Sequence, residues 1–217
     1  MADTASVFMM EPVVETRATD FSLWPVAAAE SRRFLPLSGR LTPDEVGLAV
    51  MLIARSNDID PDADDRPSRP AEPVAAFLHG LLTYERPFVP GGLRVVDTAT
   101  GITFEPGCCC GVEDWRDWFL VFDGGSFDGG HDPWALAERE GDIVRLTLDA
   151  DLDDPVRAAA ADSPVLDVPV DRVRELLAQA ERDLVDFHGL ATGWLRRQLP
   201  DHADAVSAAL HRALDLR

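Results

Sequence analysis

The chain has 217 residues, 46% of them hydrophobic, and sets 39 acidic side chains against 20 arginines with no lysine, a net charge of −19. A chain of this length builds one core without disulfides or metals, so residues 1–217 read as a single domain, neither a stapled miniprotein nor a disordered chain. The negative field repels DNA, RNA and anionic lipid, which excludes nucleic-acid and membrane-surface roles and favours a basic protein as partner. The same composition, rich in Ala, Arg, Asp and Gly, also follows from a GC-rich coding bias combined with solubility.

Residues 1–17 carry acidic groups early and only a short apolar run, Val7, Phe8, Met9 and Met10, which is not a secretory signal. No run of 18 apolar residues exists, so no membrane-spanning helix is expected. Cys108, Cys109 and Cys110 are contiguous and are the only cysteines, so they cannot staple distant segments. Together these features point to a reducing cytoplasm.

In chain order, Val13 with Val14 and the run Phe34, Leu35, Pro36, Leu37 are short strand candidates. Thr42, Pro43 and Glu45 form a capping-box start, predicting a helix over residues 43–55 with Val46, Val50 and Ile53 on one face. Residues 57–73 hold five aspartates and four prolines and read as an exposed, mobile acidic loop. A short helix over 72–82 follows. Leu93 to Asp97 and Ile102 to Glu105 alternate around Gly101 as a hairpin. Residues 112–122 suit a helix stopped by Gly124 and Gly125. A glycine-rich loop then runs to Trp134. Residues 142–148 alternate as a half-buried strand that 165–170 can pair with. Val173, Leu177, Ala180, Leu184, Phe187, Ala191 and Trp194 recur at spacings of four and three, one apolar stripe of a long helix. Gly189 and Gly193, four apart on it, read as a close-packing surface. Pro200 breaks this helix, and Asp201 is placed to cap a last one ending near Leu214. The expected fold is α+β: a small, mostly antiparallel sheet built on the 93–105 hairpin and the 142–170 strands, with helices packed on one face and a long C-terminal helix.

The cysteine triplet is the one chemically unusual segment. Cysteines just before a helix lie near its positive end, which stabilises a thiolate. His131, in the loop with Asp132, is the nearest histidine along the chain and could fold back over the triplet, so Cys108, Cys109, Cys110, His131 and Asp132 are the catalytic candidates. Against this, Glu113, Asp114 and Asp117 oppose ionisation of a thiol. A metal is the second reading, with Cys108, Cys110 and His131 as ligands, although the usual C-x-x-C spacing is missing. The reading that residue type favours over both is packing, since cysteines outside disulfides are among the most buried residues. Trp115 and Trp118, three apart on one helix face, are either core or, with Glu113, Asp114 and Asp117, a partner-binding face. Asp58, Asp60, Asp62 and Asp64 alternate like a calcium loop but have Ala63 and Arg69 where such a loop needs glycine and glutamate. The run Asp149, Asp151, Asp153 and Asp154 is read with the same reserve. His79, His188, His202 and His211 are isolated. No nucleotide-binding or nucleophile-elbow motif is present, and no motif asks for a cofactor.

Gly91 to Asp97, the segment Gly107-Cys108-Cys109-Cys110-Gly111-Val112-Glu113-Asp114-Trp115, and Gly130-His131-Asp132-Pro133 together resemble a family of actinomycete proteins. The run Arg182 to Phe187 with Trp194 is similar to the same group. The family has no assigned activity, so the resemblance implies no catalytic role. Small acidic proteins of this kind also resemble, in size and charge, the immunity proteins of bacterial toxin systems. The sequence therefore favours a non-catalytic acidic protein that binds a basic partner. Its rival is a thiol-dependent enzyme or redox or metal sensor using residues 108–110 with His131. A homodimer through the Trp-bearing or the C-terminal helix is a third arrangement.

Overall fold

The structure, a computed structural model, describes residues 8–18, 20–31, 33–63, 66–131, 134–148 and 165–217. In chain order the elements are β1 (Phe8–Thr16), β2 (Arg33–Pro36), α1 (Pro43–Ser56), α2 (Pro73–Thr83), β3 (Gly91–Asp97) and β4 (Thr103–Phe104). A 3-10 helix (Val112–Asp123) follows, then β5 (Ser126–Asp128), β6 (Ala135–Glu140), β7 (Ile143–Leu148), β8 (Val165–Pro169), α3 (Val170–Gln198) and α4 (Ala203–Ala213). The class is α+β, as the sequence implies. The hairpin and the later strands, expected in one sheet, form two four-stranded antiparallel sheets, ordered β2-β1-β3-β4 and β5-β6-β7-β8. Among the described residues no helix is long and apolar enough to cross a membrane.

Local chemistry explains most elements. Thr42 and Glu45 close the capping box of α1, whose interior face is fully buried. In the β3–β4 hairpin, Asp97 accepts from the Ala99 amide at 2.9 Å and the Thr100 hydroxyl at 2.9 Å, which shapes the turn. Gly101 then takes φ +77°, a conformation that L side chains rarely adopt. β1 is central in its sheet although Pro12 lies within it; the Pro12 carbonyl still accepts from the Leu37 amide at 2.7 Å. A proline inside a central strand hides that strand from sequence reasoning. β6, Ala-Leu-Ala-Glu-Arg-Glu, was likewise hidden: its residues favour helix, and pairing with β5 and β7 overrides that preference.

Every residue of the predicted stripe on α3 is buried, and α3 lies against β1, α1 and α4 in one continuous core. Two expectations at this end of the chain fail. Gly189 has nothing within 4 Å of where a Cβ would stand, and Gly193 only the tip of Arg197, so neither glycine marks close packing. Asp201 does not cap α4; His202 occupies that position without a side-chain bond, because Pro200–His202 forms a 3-10 turn leading into the helix. In the described part of residues 57–73 two arginines make local contacts. Arg69 pairs with Asp58, and Arg66 donates to the Thr83 hydroxyl and the Ile59 carbonyl, both at 3.0 Å, with its guanidinium 4.2 Å from the centre of the Tyr84 ring.

The segment after β4 forms the joint between the two sheets. Val112, Trp115, Trp118 and Val121 repeat every three residues and are all buried. That period matches a 3-10 helix, in which residues three apart eclipse, better than an α-helix, whose stripe drifts at that spacing. Trp118 stacks on Phe127 of β5 at 4.7 Å and meets Phe104 of β4 edge-on at 5.8 Å, so one side chain touches both sheets. Trp115 donates its indole N–H to the Leu214 carbonyl at 3.1 Å, tying the end of α4 to the joint. Gly124, at φ +84°, ends the helix.

Candidate functional site

The cysteines sit in the short turn between β4 and the 3-10 helix, and His131 lies in the loop between β5 and β6. Backbone bonds hold the two segments together: the Gly107 amide donates to the Gly129 carbonyl at 2.8 Å and the Cys108 amide to the His131 carbonyl at 2.7 Å. The approach requires glycine on both sides. A Cβ on Gly107 would lie 2.6 Å from the Gly130 carbonyl carbon and 2.7 Å from the His131 oxygen. Gly130 has φ +92°, and its missing Cβ faces the Cys109 and Cys110 amides. Asp128 fixes the turn by accepting the Gly130 amide at 2.9 Å.

This clamp puts the imidazole between two sulfurs. Cys109 Sγ is 2.7 Å from His131 Nε2, and Cys108 Sγ is 3.1 Å from His131 Nδ1. The two sulfurs are 3.8 Å apart. Cys108 Sγ, also 4.0 Å from Nε2, lies beside Nδ1 rather than along its N–H or lone-pair axis. The thiol placed to exchange a proton with the ring is therefore Cys109, through Nε2. Cys108 and Cys109 are exposed and His131 is half-buried, so reagents in solution reach the group. Packing, the reading favoured from residue type, does not hold for these two cysteines.

Cys110 behaves differently. It is half-buried and its thiol donates to the Asp128 carbonyl at 3.2 Å. Burial first, then the charges of Asp114, Asp128, Cys109 and Glu113, push it up to about 12. It is therefore held as a protonated hydrogen-bond donor, and the donor atoms brought together are those of Cys108, Cys109 and His131 rather than the expected set of Cys108, Cys110 and His131. Asp132 lies outside the described residues, as do Asp64 and the run at Asp149, Asp151, Asp153 and Asp154.

The residues read as a partner face are dispersed. Trp115 and Trp118 are buried and present no surface. Glu113 is buried too; it accepts the Val89 amide at 2.9 Å, and desolvation raises its carboxyl to about 7. Asp114 pairs with Arg86 at 2.8 Å, and Asp117 is exposed. Of the aspartates after α1, Asp58 is engaged by Arg69, and Asp60 accepts the Asp62 amide at 3.1 Å in a local turn. The other histidines lie apart from the cysteines: His188 bonds the Ser207 carbonyl at 3.0 Å, His211 packs on His188, and His202 is 3.7 Å from Glu72. His79 is buried with neither ring nitrogen bonded among the described residues. Cys108, Cys109 and His131 form the one group of three metal-ligating side chains found among the described residues.

Sequence reasoning had Cys109 among the thiols that His131 could serve but left it out of the metal set, and it missed the backbone clamp that brings Cys109 to Nε2. The signal for the clamp was present as glycines at both ends, Gly107 on one segment and Gly129 with Gly130 on the other. Comparison with protein-family models, with curated proteins and with solved structures found no match for this chain.

Proposed function

We propose that the chain is a thiol-based sensor in which Cys109 is the responding nucleophile, His131 its general base and Cys108 the second thiol. The observation that carries this reading is the 2.7 Å contact of Cys109 Sγ with His131 Nε2 at an accessible position. Redox-sensing cysteines share these features: access to solvent, a partner that assists ionisation, and a neighbouring thiol. With hydrogen peroxide as the signal, His131 accepts the Cys109 proton while the sulfur attacks one oxygen and the O–O bond breaks. The leaving hydroxide takes the proton back from the imidazolium. Thiol and peroxide thus become sulfenic acid and water, with sulfur oxidised and peroxide reduced. A binding role towards a basic partner rests on charge alone, and the tryptophans that would anchor it are buried.

Peroxide treatment in the presence of a sulfenic-acid-trapping dione, followed by peptide mass mapping, tests the reading. The adduct is expected on Cys109, with Cys110 unmodified. Equal trapping on all three cysteines, or none on Cys109, contradicts it.

A further inference from the structure

We infer that Cys108, Cys109 and His131 also hold a divalent cation of the zinc class, and that the bound cation silences the thiols. The silencing half of this inference rests on the sensor reading above; the binding half rests on the arrangement of donor atoms.

Two sulfurs and an imidazole nitrogen form a soft-to-borderline donor set, suited to zinc and its d10 neighbours rather than to magnesium or calcium. Cys108 Sγ and Cys109 Sγ are 3.8 Å apart. Two zinc–sulfur bonds of about 2.3 Å at the tetrahedral angle span about 3.8 Å, whereas a linear S–metal–S unit needs about 4.6 Å. Residues adjacent in sequence are therefore already spaced for an angular site. Nε2 lies 2.7 Å from Cys109 Sγ and 4.0 Å from Cys108 Sγ. The tetrahedral sulfur–nitrogen edge is about 3.5 Å, between those two distances, so a small swing of the ring away from Cys109 and towards Cys108 equalises them. The backbone does not have to move, because the Cys108 amide already holds the His131 carbonyl.

Binding replaces two thiol protons: one cation and two thiols give a dithiolate–imidazole complex and two released protons. Three protein ligands leave one position open, and the accessible sulfurs let the ion exchange with solvent, unlike a closed four-ligand structural site. The −19 charge of the chain favours cation capture. Cys110 stays out of the set, its S–H given to the Asp128 carbonyl. Because the cysteines follow β4 and the histidine follows β5, the cation fastens one sheet to the other.

Zinc titration of the full chain against a competing chromophoric chelator tests this, with cadmium as a second probe read by its thiolate charge-transfer band. Zinc should bind at one ion per chain. Cys108→Ser, Cys109→Ser and His131→Ala should each weaken it by at least about tenfold, a loss that even outer-shell partners can cause. Cys110→Ala should leave binding unchanged, and circular dichroism should show every variant folded. Absence of stoichiometric zinc, or a loss with Cys110→Ala equal to that with Cys109→Ser, overturns the binding half. Rapid alkylation of Cys109 in the zinc-free chain that zinc does not slow overturns the silencing half and leaves the sensor reading standing. Slow alkylation of Cys109 without zinc sinks the sensor reading and the silencing with it, whatever the zinc affinity.

Discussion

At Cys110, burial and nearby carboxylates push the thiol up to about 12, while one residue earlier Cys109 lies open to solvent against His131. Adjacent cysteines thus have different chemistry because successive side chains leave the turn in different directions. Glu113 shows the same control by environment. Its folded value of about 7 stands above the ordinary 4.5, mainly through desolvation. Below about pH 4.5 both folded and unfolded chains hold the proton, and nothing is lost. Between 4.5 and 7 the unfolded chain releases it first, so stability falls as pH rises; above 7 the loss is complete, on the order of 3 kcal/mol. Glu113→Gln keeps an acceptor for the Val89 amide and removes the ionisation. Urea unfolding at pH 5 and pH 8 should show the variant gaining stability relative to wild type at the higher pH. Parallel curves at both pH values would refute this account of Glu113. The sequence revealed that carboxylates surround the cysteines, but not that Glu113 points inward while Asp117 points outward, since only the 3-10 period separates them.

Among the elements, α1, the β3–β4 hairpin and α3 were legible because each carries a local signal: a capping box, a glycine turn and a stripe of period 3.6. The 3-10 helix was legible only as a helix. The strict three-residue recurrence of Val112, Trp115, Trp118 and Val121 was visible, yet 3-10 runs beyond one turn are uncommon and the α period is the default. The β4-to-helix turn and the β5–β6 loop carry no period at all, and what shapes them is a backbone contact between segments some twenty residues apart. Gly130→Ala tests that contact. At φ +92° the new methyl is strained, and it meets the Cys109 and Cys110 amide nitrogens at 3.2 Å. A residue held in a sparsely populated backbone region costs about 1–3 kcal/mol. Chemical denaturation should show a loss of that size, and Cys109 should lose its enhanced reactivity. Unchanged stability with unchanged reactivity would mean that the two segments do not meet as described.

For the whole molecule, length and composition indicated one domain with a single core and the order of predicted elements indicated the α+β class, but neither indicated the division into two sheets. The division depends on the non-local pairing of β1 with β3 and on the local pairing of β5 with β6, whose strands contain a proline or helix-favouring residues. It matters for function because the site is assembled from both halves, cysteines from the end of one sheet and histidine from the edge of the other, with Trp118 packed between. The two thiols and the imidazole are therefore brought together only in the folded chain. The most direct measurement is the ratio of alkylation rates at Cys109 and Cys110, read from the same mass spectra at neutral pH, for the native chain, the urea-unfolded chain and folded His131→Ala. General-base assistance contributes about 10²–10⁴-fold where it operates. The native ratio should be large, should fall towards unity in urea, and should drop by at least about tenfold in His131→Ala while the fold persists. A ratio near unity in the native chain, or one that His131→Ala leaves unchanged, would contradict the assignment of Cys109 and His131 as a working pair.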